Sequence, residues 1–322
     1  MNVREFLAQH SKNPICYPPI LMDSGKLAGN HGDSLIELGA QKLFAEFDLN
    51  FTDDPGEAGL IMIGGGGNMV EGFTVVPRMF EKFAHSYPQT PLAILPGSFY
   101  FPNSSIADLL PAERAAVTLF CRENISARHL QENHGLPDFC EITKYNDLAF
   151  ELNDGELVNS VRSTTKKHIL IVERWDNEHP EAKLNKGPSL PIKIGSLLPE
   201  FARAPLRPLV AKMRRRKKSR FREAADTLLT KNHPEYASLP RIVHDISLPN
   251  YGSFEDFTSL IRDAAVVITT RLHVGILAGM AGKETYLFEG GYWKARGIHE
   301  YSMSDMPHVK FVDLDTIVTP KT

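Results

Sequence analysis

The sequence predicts an α/β fold of parallel βαβ units, arranged as two open domains that face each other. Three observations carry this expectation. Short apolar runs alternate with amphipathic stretches along the chain, the pattern of strands covered by helices on both faces. The 322 residues exceed the usual size of one domain and suit two. A polar segment, NDGELVNSVRSTTKK at 153–167, lacks helical periodicity and divides the chain. Domains are therefore expected at 1–155 and 165–322, with ligand held between the carboxyl ends of their strands.

In order, strands are expected at 60–63, 92–95, 116–120, 168–172, 241–244, 265–269, 285–288 and 309–312. Each is a short apolar run of the kind a doubly covered parallel strand needs. Amphipathic helices are expected at 34–47, 75–87, 123–134 and 254–264. No internal repeat interrupts this alternation.

Composition excludes several function classes. The 36 Lys+Arg and 39 Asp+Glu give a net charge of -3, which argues against a dedicated nucleic-acid binder. Cys16, Cys121 and Cys140 form no C-x-x-C pair and read as reduced thiols rather than disulfides or zinc ligands. Glu5, Gln9, His10 and Lys12 interrupt the N-terminal apolar stretch, unlike a signal peptide. No apolar run approaches the roughly 18–20 residues that span a bilayer. The expected location is the cytoplasm.

One charge run stands out, AKMRRRKKSRFR at 211–222. Its cationic part, with Lys212 and Arg222 at its ends, has two readings. It is a solvated helix face, or it is drawn to an anionic membrane surface or a phosphate-bearing acceptor. In the second case each basic residue contributes on the order of 1 kcal/mol, and the protein sits peripherally at the inner face of the membrane.

Three glycine-containing stretches are candidate ligand contacts. In GNHGDSLIELG (29–39) Gly29 and Gly32 bracket a turn that includes Asn30, and Asp33 or Ser34 sits where a helix N-cap is expected. Either this turn touches ligand or Asp33 merely caps the helix. In IGGGGNMVEG (63–72), directly after a strand, Gly65 and Gly66 let the backbone approach a ligand beside Asn68. It is neither a Walker A loop nor a dinucleotide fingerprint, because no Gly-Lys-Ser/Thr follows and neither Met69 nor Val70 supplies the last glycine.

In TTRLHVGILAGMAGK (269–283) Thr270 is placed to cap the next helix, so Arg271, Leu272 and His273 fall in its first turn. Free N–H groups, the positive end of the helix dipole, a guanidinium and an imidazole together suit a small dianion. The alternative is that Arg271 pairs with a neighbouring carboxylate. Arg174 and Asp176 follow the strand at 168–172 in the same way, as crevice residues or as an ordinary surface pair. Glu289 and Lys294, beyond the strand at 285–288, complete the candidate contacts.

Taken in order, these stretches resemble the polysaccharide pyruvyltransferase family. The chain supplies GNHGDSLI (29–36), GGGGN (64–68), LPGSFYF (95–101), CRENIS (121–126), DLAF (147–150), RWD (174–176) and RLH (271–273). Each piece alone is unspecific; the ordered set, spanning roughly 29–301, is not. Gly97 stands where the family often has Gln, and Val274 where it commonly has Gly, and neither change removes a charged group.

The resemblance implies two Rossmann-like domains facing each other across a cleft, similar to GT-B glycosyltransferases. The N-terminal domain would take the acceptor and the C-terminal domain phosphoenolpyruvate, which is a co-substrate, with no cofactor. It further implies a bacterial transferase of exopolysaccharide biosynthesis that closes a pyruvate ketal on a glycan or lipid-linked oligosaccharide. Arg174, Arg271 and His273 would contact phosphoenolpyruvate. A phosphate and a carboxylate suit arginine forks, so no metal is demanded. Ketal formation needs a general acid and a base working near neutrality. His273 is the first candidate for the acid, and Asp33 for activating or orienting the sugar, with Asp176 next in line. The competing readings are a GT-B glycosyltransferase using a nucleotide sugar and a catalytically silent glycan-binding relative.

Overall fold

Apolar runs of four to six residues, buried on both faces, form the inner strands of two parallel sheets. The structure, a computed structural model, describes residues 1–20, 29–132, 135–174, 219–248, 252–290 and 293–317. The first sheet holds β1 (Ile15–Cys16), β2 (Leu60–Ile63), β3 (Gly66–Val70), β4 (Leu92–Tyr100), β5 (Val117–Cys121) and β6 (Cys140–Lys144). Their order is β1-β2-β4-β5-β6, with β3 alongside β4. β2 and β3 form one line. β2 pairs with the first half of β4, Ile61 opposite Leu92, and β3 with the second half, Gly66 opposite Gly97 and Val70 opposite Tyr100.

The second sheet holds β7 (His168–Val172), β8 (Arg241–Val243), β9 (Ala264–Thr269), β10 (Glu284–Phe288) and β11 (Val309–Val312), in the order β11-β10-β9-β7-β8. Every pair in both sheets is parallel. Growth of this sheet changes direction between β7 and β9, so the crevice beyond their carboxyl ends is its topological switch point.

The expected strands are present, but β4 continues five residues past 95 to Tyr100. Three further strands were not expected. β6 is half-exposed at a sheet edge and so has no apolar run. β1 is two residues long, and β3 opens with glycines whose strand pairing depends on β4.

The segment at 153–167 is not the unstructured linker its polarity suggests. It contains the short helix Glu156–Val161, whose Val158 and Val161 are buried in the core beneath the second sheet. Two buried valines in a six-residue helix are too few to register as a period.

The helix His31–Ala45 begins three residues earlier than expected. Asn30 is its N-cap, accepting a hydrogen bond from the Gly32 N–H at 2.8 Å, while Asp33 accepts from the Asn30 N–H at 2.8 Å. Asp33 thus closes a capping box from the third helical position. Leu35 of this helix joins the core of the second sheet, and Ile36, Ala40, Leu43 and Phe44 join that of the first. His31 donates its N–H to the Ser247 carbonyl at 2.8 Å and packs on Phe254 and Phe257. The helix is therefore wedged between the two halves.

Residues 211–218 of the basic stretch, and Asp176, lie outside the described residues. At the described end, Arg220 pairs with Asp315 and Arg222 with the buried Glu173. All three cysteines are free thiols, Cys16 and Cys121 buried. Among the described residues no helix is long and apolar enough to cross a membrane.

Candidate active site

β5 delivers Arg122 to the carboxyl edge of the first sheet, where its N–H donates to the Gly97 carbonyl of β4 at 3.1 Å. The side chain is fully buried. Its Nε donates to Ser98 Oγ at 2.9 Å and its Nη1 to Asp147 Oδ2 at 2.6 Å. Nη2 is buried with no hydrogen-bond partner, a costly condition for a guanidinium nitrogen and a sign of a ligand-facing group.

Asp147 caps the 3-10 helix Leu148–Leu152, its Oδ1 accepting from the Ala149 N–H at 2.9 Å. Its Oδ2 is shared with His273 Nε2 at 3.3 Å. Burial alone would raise the Asp147 carboxyl. The charges of His273 and Arg122, with the bonds from His273 and Ala149, outweigh burial and hold it well below the usual carboxylate range. On the other side of the ring, a Cβ built at Gly32 would lie 2.7 Å from His273 Nδ1. Only glycine lets the first turn of the helix His31–Ala45 rest against this imidazole.

The glycine-rich stretch meets the same region. A Cβ at Gly67 would lie 2.7 Å from Lys294 Nζ and 3.2 Å from Arg122 Nη2. Two cationic groups therefore border the small space above Gly67, an arrangement that favours an anion. Lys294 opens the helix Lys294–Ile298. That helix is tied down by Glu289, whose Oε1 accepts from the Ala295 and Gly290 N–H groups, each at 3.2 Å. Burial pushes the Glu289 carboxyl up to about 7, against the pull of those backbone bonds and of Arg296.

At the switch point of the second sheet the helix after β9 starts at Leu272, with Arg271 as its N-cap. Thr270 is not the cap. Its hydroxyl accepts from the Arg174 N–H at 2.9 Å, joining the ends of β7 and β9. Arg271 is buried and forks onto Asp245, Nε to Oδ1 at 3.1 Å and Nη2 to Oδ2 at 2.7 Å. The pairing with a neighbouring carboxylate, one of its two readings, is thus present.

A sequence profile described as polysaccharide pyruvyl transferase matches residues 30–291. The chain belongs to the polysaccharide pyruvyl transferase family. No curated protein matches it. Among solved structures it is similar to a functionally uncharacterised protein from Klebsiella pneumoniae, 18% identical, with a TM-score of 0.57 over 96% of each chain. At that identity the likeness concerns the fold.

In this member of the family, His273 and Lys294 lie beside Arg122, with Glu289 behind Lys294. Gly65 lies in the two-residue connection between β2 and β3, Gly66 opens β3, and Asn68 is half-buried on β3. Asn30 and Asp33 are bonded to each other across the cap, with Asn30 Nδ2 donating to Asp33 at 2.9 Å. The Leu272 side chain is packed into the second core. Arg174 is half-buried at the end of β7.

Sequence reasoning assigned no role to Arg122 or Asp147, although both stand in its quoted motifs, CRENIS and DLAF. The available signal was positional. Arg122 directly follows a strand and Arg174 comes two residues after one, and charged residues at strand carboxyl ends face the crevice.

Proposed function

We propose that the protein transfers the pyruvyl group of phosphoenolpyruvate to two hydroxyls of one sugar, in a surface polysaccharide or its lipid-linked precursor, forming a cyclic ketal. The observation that carries this reading is the buried Arg122, whose unpartnered Nη2 shares the space above Gly67 with Lys294. A donor with phosphate and carboxylate groups supplies the anion such a site requires. The two parallel sheets suit a GT-B-like pair of Rossmann-like domains, and the basic stretch at 211–222 suits attraction to a membrane carrying the acceptor.

In the proposed reaction the methylene carbon of phosphoenolpyruvate takes a proton, leaving an oxocarbenium-like centre at the neighbouring carbon. A sugar hydroxyl attacks that centre, phosphate leaves, and a second hydroxyl closes the ring. Of the two hydroxyl protons released, the balance places one on the new methyl group and one on phosphate. His273 is the first candidate acid, held by Asp147. Asp147 orients the ring through that contact. Glu289, with its carboxyl pushed up to about 7, is the second titrating group at the site. Arg122 and Lys294 offset charge on the departing phosphate. Arg271, occupied by Asp245, holds the loop that presents His273.

Phosphate release from phosphoenolpyruvate over free and lipid-linked saccharides, with mass spectrometry of the acceptor, tests the reading. A pyruvate ketal on the acceptor is the expected product. No release with any saccharide, combined with consumption of a nucleotide sugar, would move the protein to glycosyl transfer.

A further inference from the structure

Beyond the cation-bordered space at Gly67, the carboxyl end of β4 runs into an open depression of about 450 Å³. Its wall is chemically unlike the donor region. Asn103, Ser104, Ser105, Asp108, His129 and Glu132 line it, and among the described residues no lysine or arginine does. Two carboxylates and no fixed cation disfavour a phosphate or carboxylate ligand. Carboxylates, hydroxyls, an amide and an imidazole are the acceptors and donors that a polyol satisfies.

The rim is pre-organised. Glu71 accepts from the Asn103 N–H and Nδ2, each at 3.1 Å, and Asp108 accepts from the Ser105 N–H at 2.9 Å. His129 Nε2 accepts from the Phe101 N–H at 2.9 Å, which leaves Nδ1 to carry the proton of the neutral ring. Burial also lowers the His129 pKa, so the wall gains no cation near neutrality.

His129 joins this polar wall to an aromatic cluster. Its ring centroid lies 5.5 Å from Tyr100 and 6.3 Å from Trp293, and those two rings meet edge to face at 4.3 Å. Aromatic faces carry partial negative charge and attract the polarised C–H face of a pyranose. The cluster is also tied to the donor region. Trp293 immediately precedes Lys294, and Tyr100 pairs with Val70, three residues along β3 from Gly67. At the strand rise that separation is roughly 10 Å, a span that a short glycan covers.

We propose that this depression, with the Tyr100–Trp293 pair joined to it through His129, is a subsite for an uncharged pyranose of the acceptor glycan, beside the sugar that receives the pyruvyl group. The assignment rests on the acceptor being a glycan, as proposed above. It separates the two substrates by charge: anionic donor at Arg122 and Lys294, neutral sugar against Asp108 and Glu132.

The test measures saccharide binding without donor. Trp175→Phe leaves Trp293 as the single tryptophan, and its emission is titrated with neutral glucose, galactose and mannose trisaccharides and with a glucuronate-containing trisaccharide. At least one neutral trisaccharide should give a saturable change, with the glucuronate analogue at least tenfold weaker. Glu132→Ala and Tyr100→Leu, each made in that background, should weaken the neutral ligand tenfold or more. Glu132 is exposed on its helix, so its substitution tests the site even if Tyr100→Leu does not fold. No neutral trisaccharide binding, equal binding of the uronate, or unchanged affinity in Glu132→Ala would overturn the subsite. Trisaccharide binding with these dependences, but no phosphate release from phosphoenolpyruvate, would retain the subsite and reject the pyruvyl-transfer reading instead.

Discussion

Asp147 and His273 meet at 3.3 Å across the two halves of the molecule, 126 residues apart in the chain. The same carboxylate oxygen accepts from the fully buried Arg122 at 2.6 Å. One side chain thus fixes a histidine of the helix that follows β9 and an arginine that follows β5. Removing it leaves a buried cation without its counter-charge, which is costlier than losing a surface pair.

Asp147→Asn is therefore expected to destabilise the protein by about 3–5 kcal/mol. The sign of its pH dependence follows from the depressed pKa. The stabilisation is present above the unfolded carboxyl value and is lost as pH falls through the folded one. Calorimetric melting across pH 2–7, values set by the experiment at roughly the carboxylate range, should show a lower plateau and a flatter acid limb in the variant. An unchanged plateau would remove Asp147 from the structural role.

Gly67→Ala places a methyl group 2.7 Å from Lys294 Nζ and 3.2 Å from Arg122 Nη2. The near atom is the far end of a flexible lysine side chain, so the fold should survive while the anion site is spoiled. Phosphoenolpyruvate affinity should fall by about 1.5–3 kcal/mol, the range for a hydrogen bond to a charged group, and Lys294→Ala should do the same. Calorimetric titration reading wild-type affinity in both variants would place the donor elsewhere.

His273→Gln keeps a hydrogen-bonding side chain beside Asp147 but cannot cycle a proton. Turnover should drop roughly 10²–10⁴-fold with a much smaller change in donor affinity. A preserved turnover rate with a raised Michaelis constant for phosphoenolpyruvate would restrict His273 to binding.

Glu289 makes stability depend on pH in the opposite sense to Asp147. Its folded pKa is raised to about 7 from 4.5, so the folded protein binds the extra proton. Stability from this group is complete below the unfolded value and falls as pH rises from 4.5 through about 7. The loss is on the order of 3 kcal/mol. Glu289→Gln should abolish that decline, melting higher than wild type near pH 8, roughly one unit above the folded pKa. Parallel melting curves for the two proteins over that range would show that the carboxyl titrates normally.

The sequence by itself determined the class of the fold, and the reason is burial. Strands such as β7 and β9 are covered on both faces, so HILIV and AAVVIT must be apolar throughout and are legible as such. It also determined the family, because the ordered motifs survive in one dimension. The tertiary structure decided what sequence distance hides. β3 is a strand only because β4 lies beside it. Arg271 answers to Asp245, 26 residues away, and Arg122 to Asp147, 25 residues away. A charged side chain gives no periodic signal of its partner; which carboxylate reaches which guanidinium is settled by packing, when desolvation makes an unpaired charge too costly to bury.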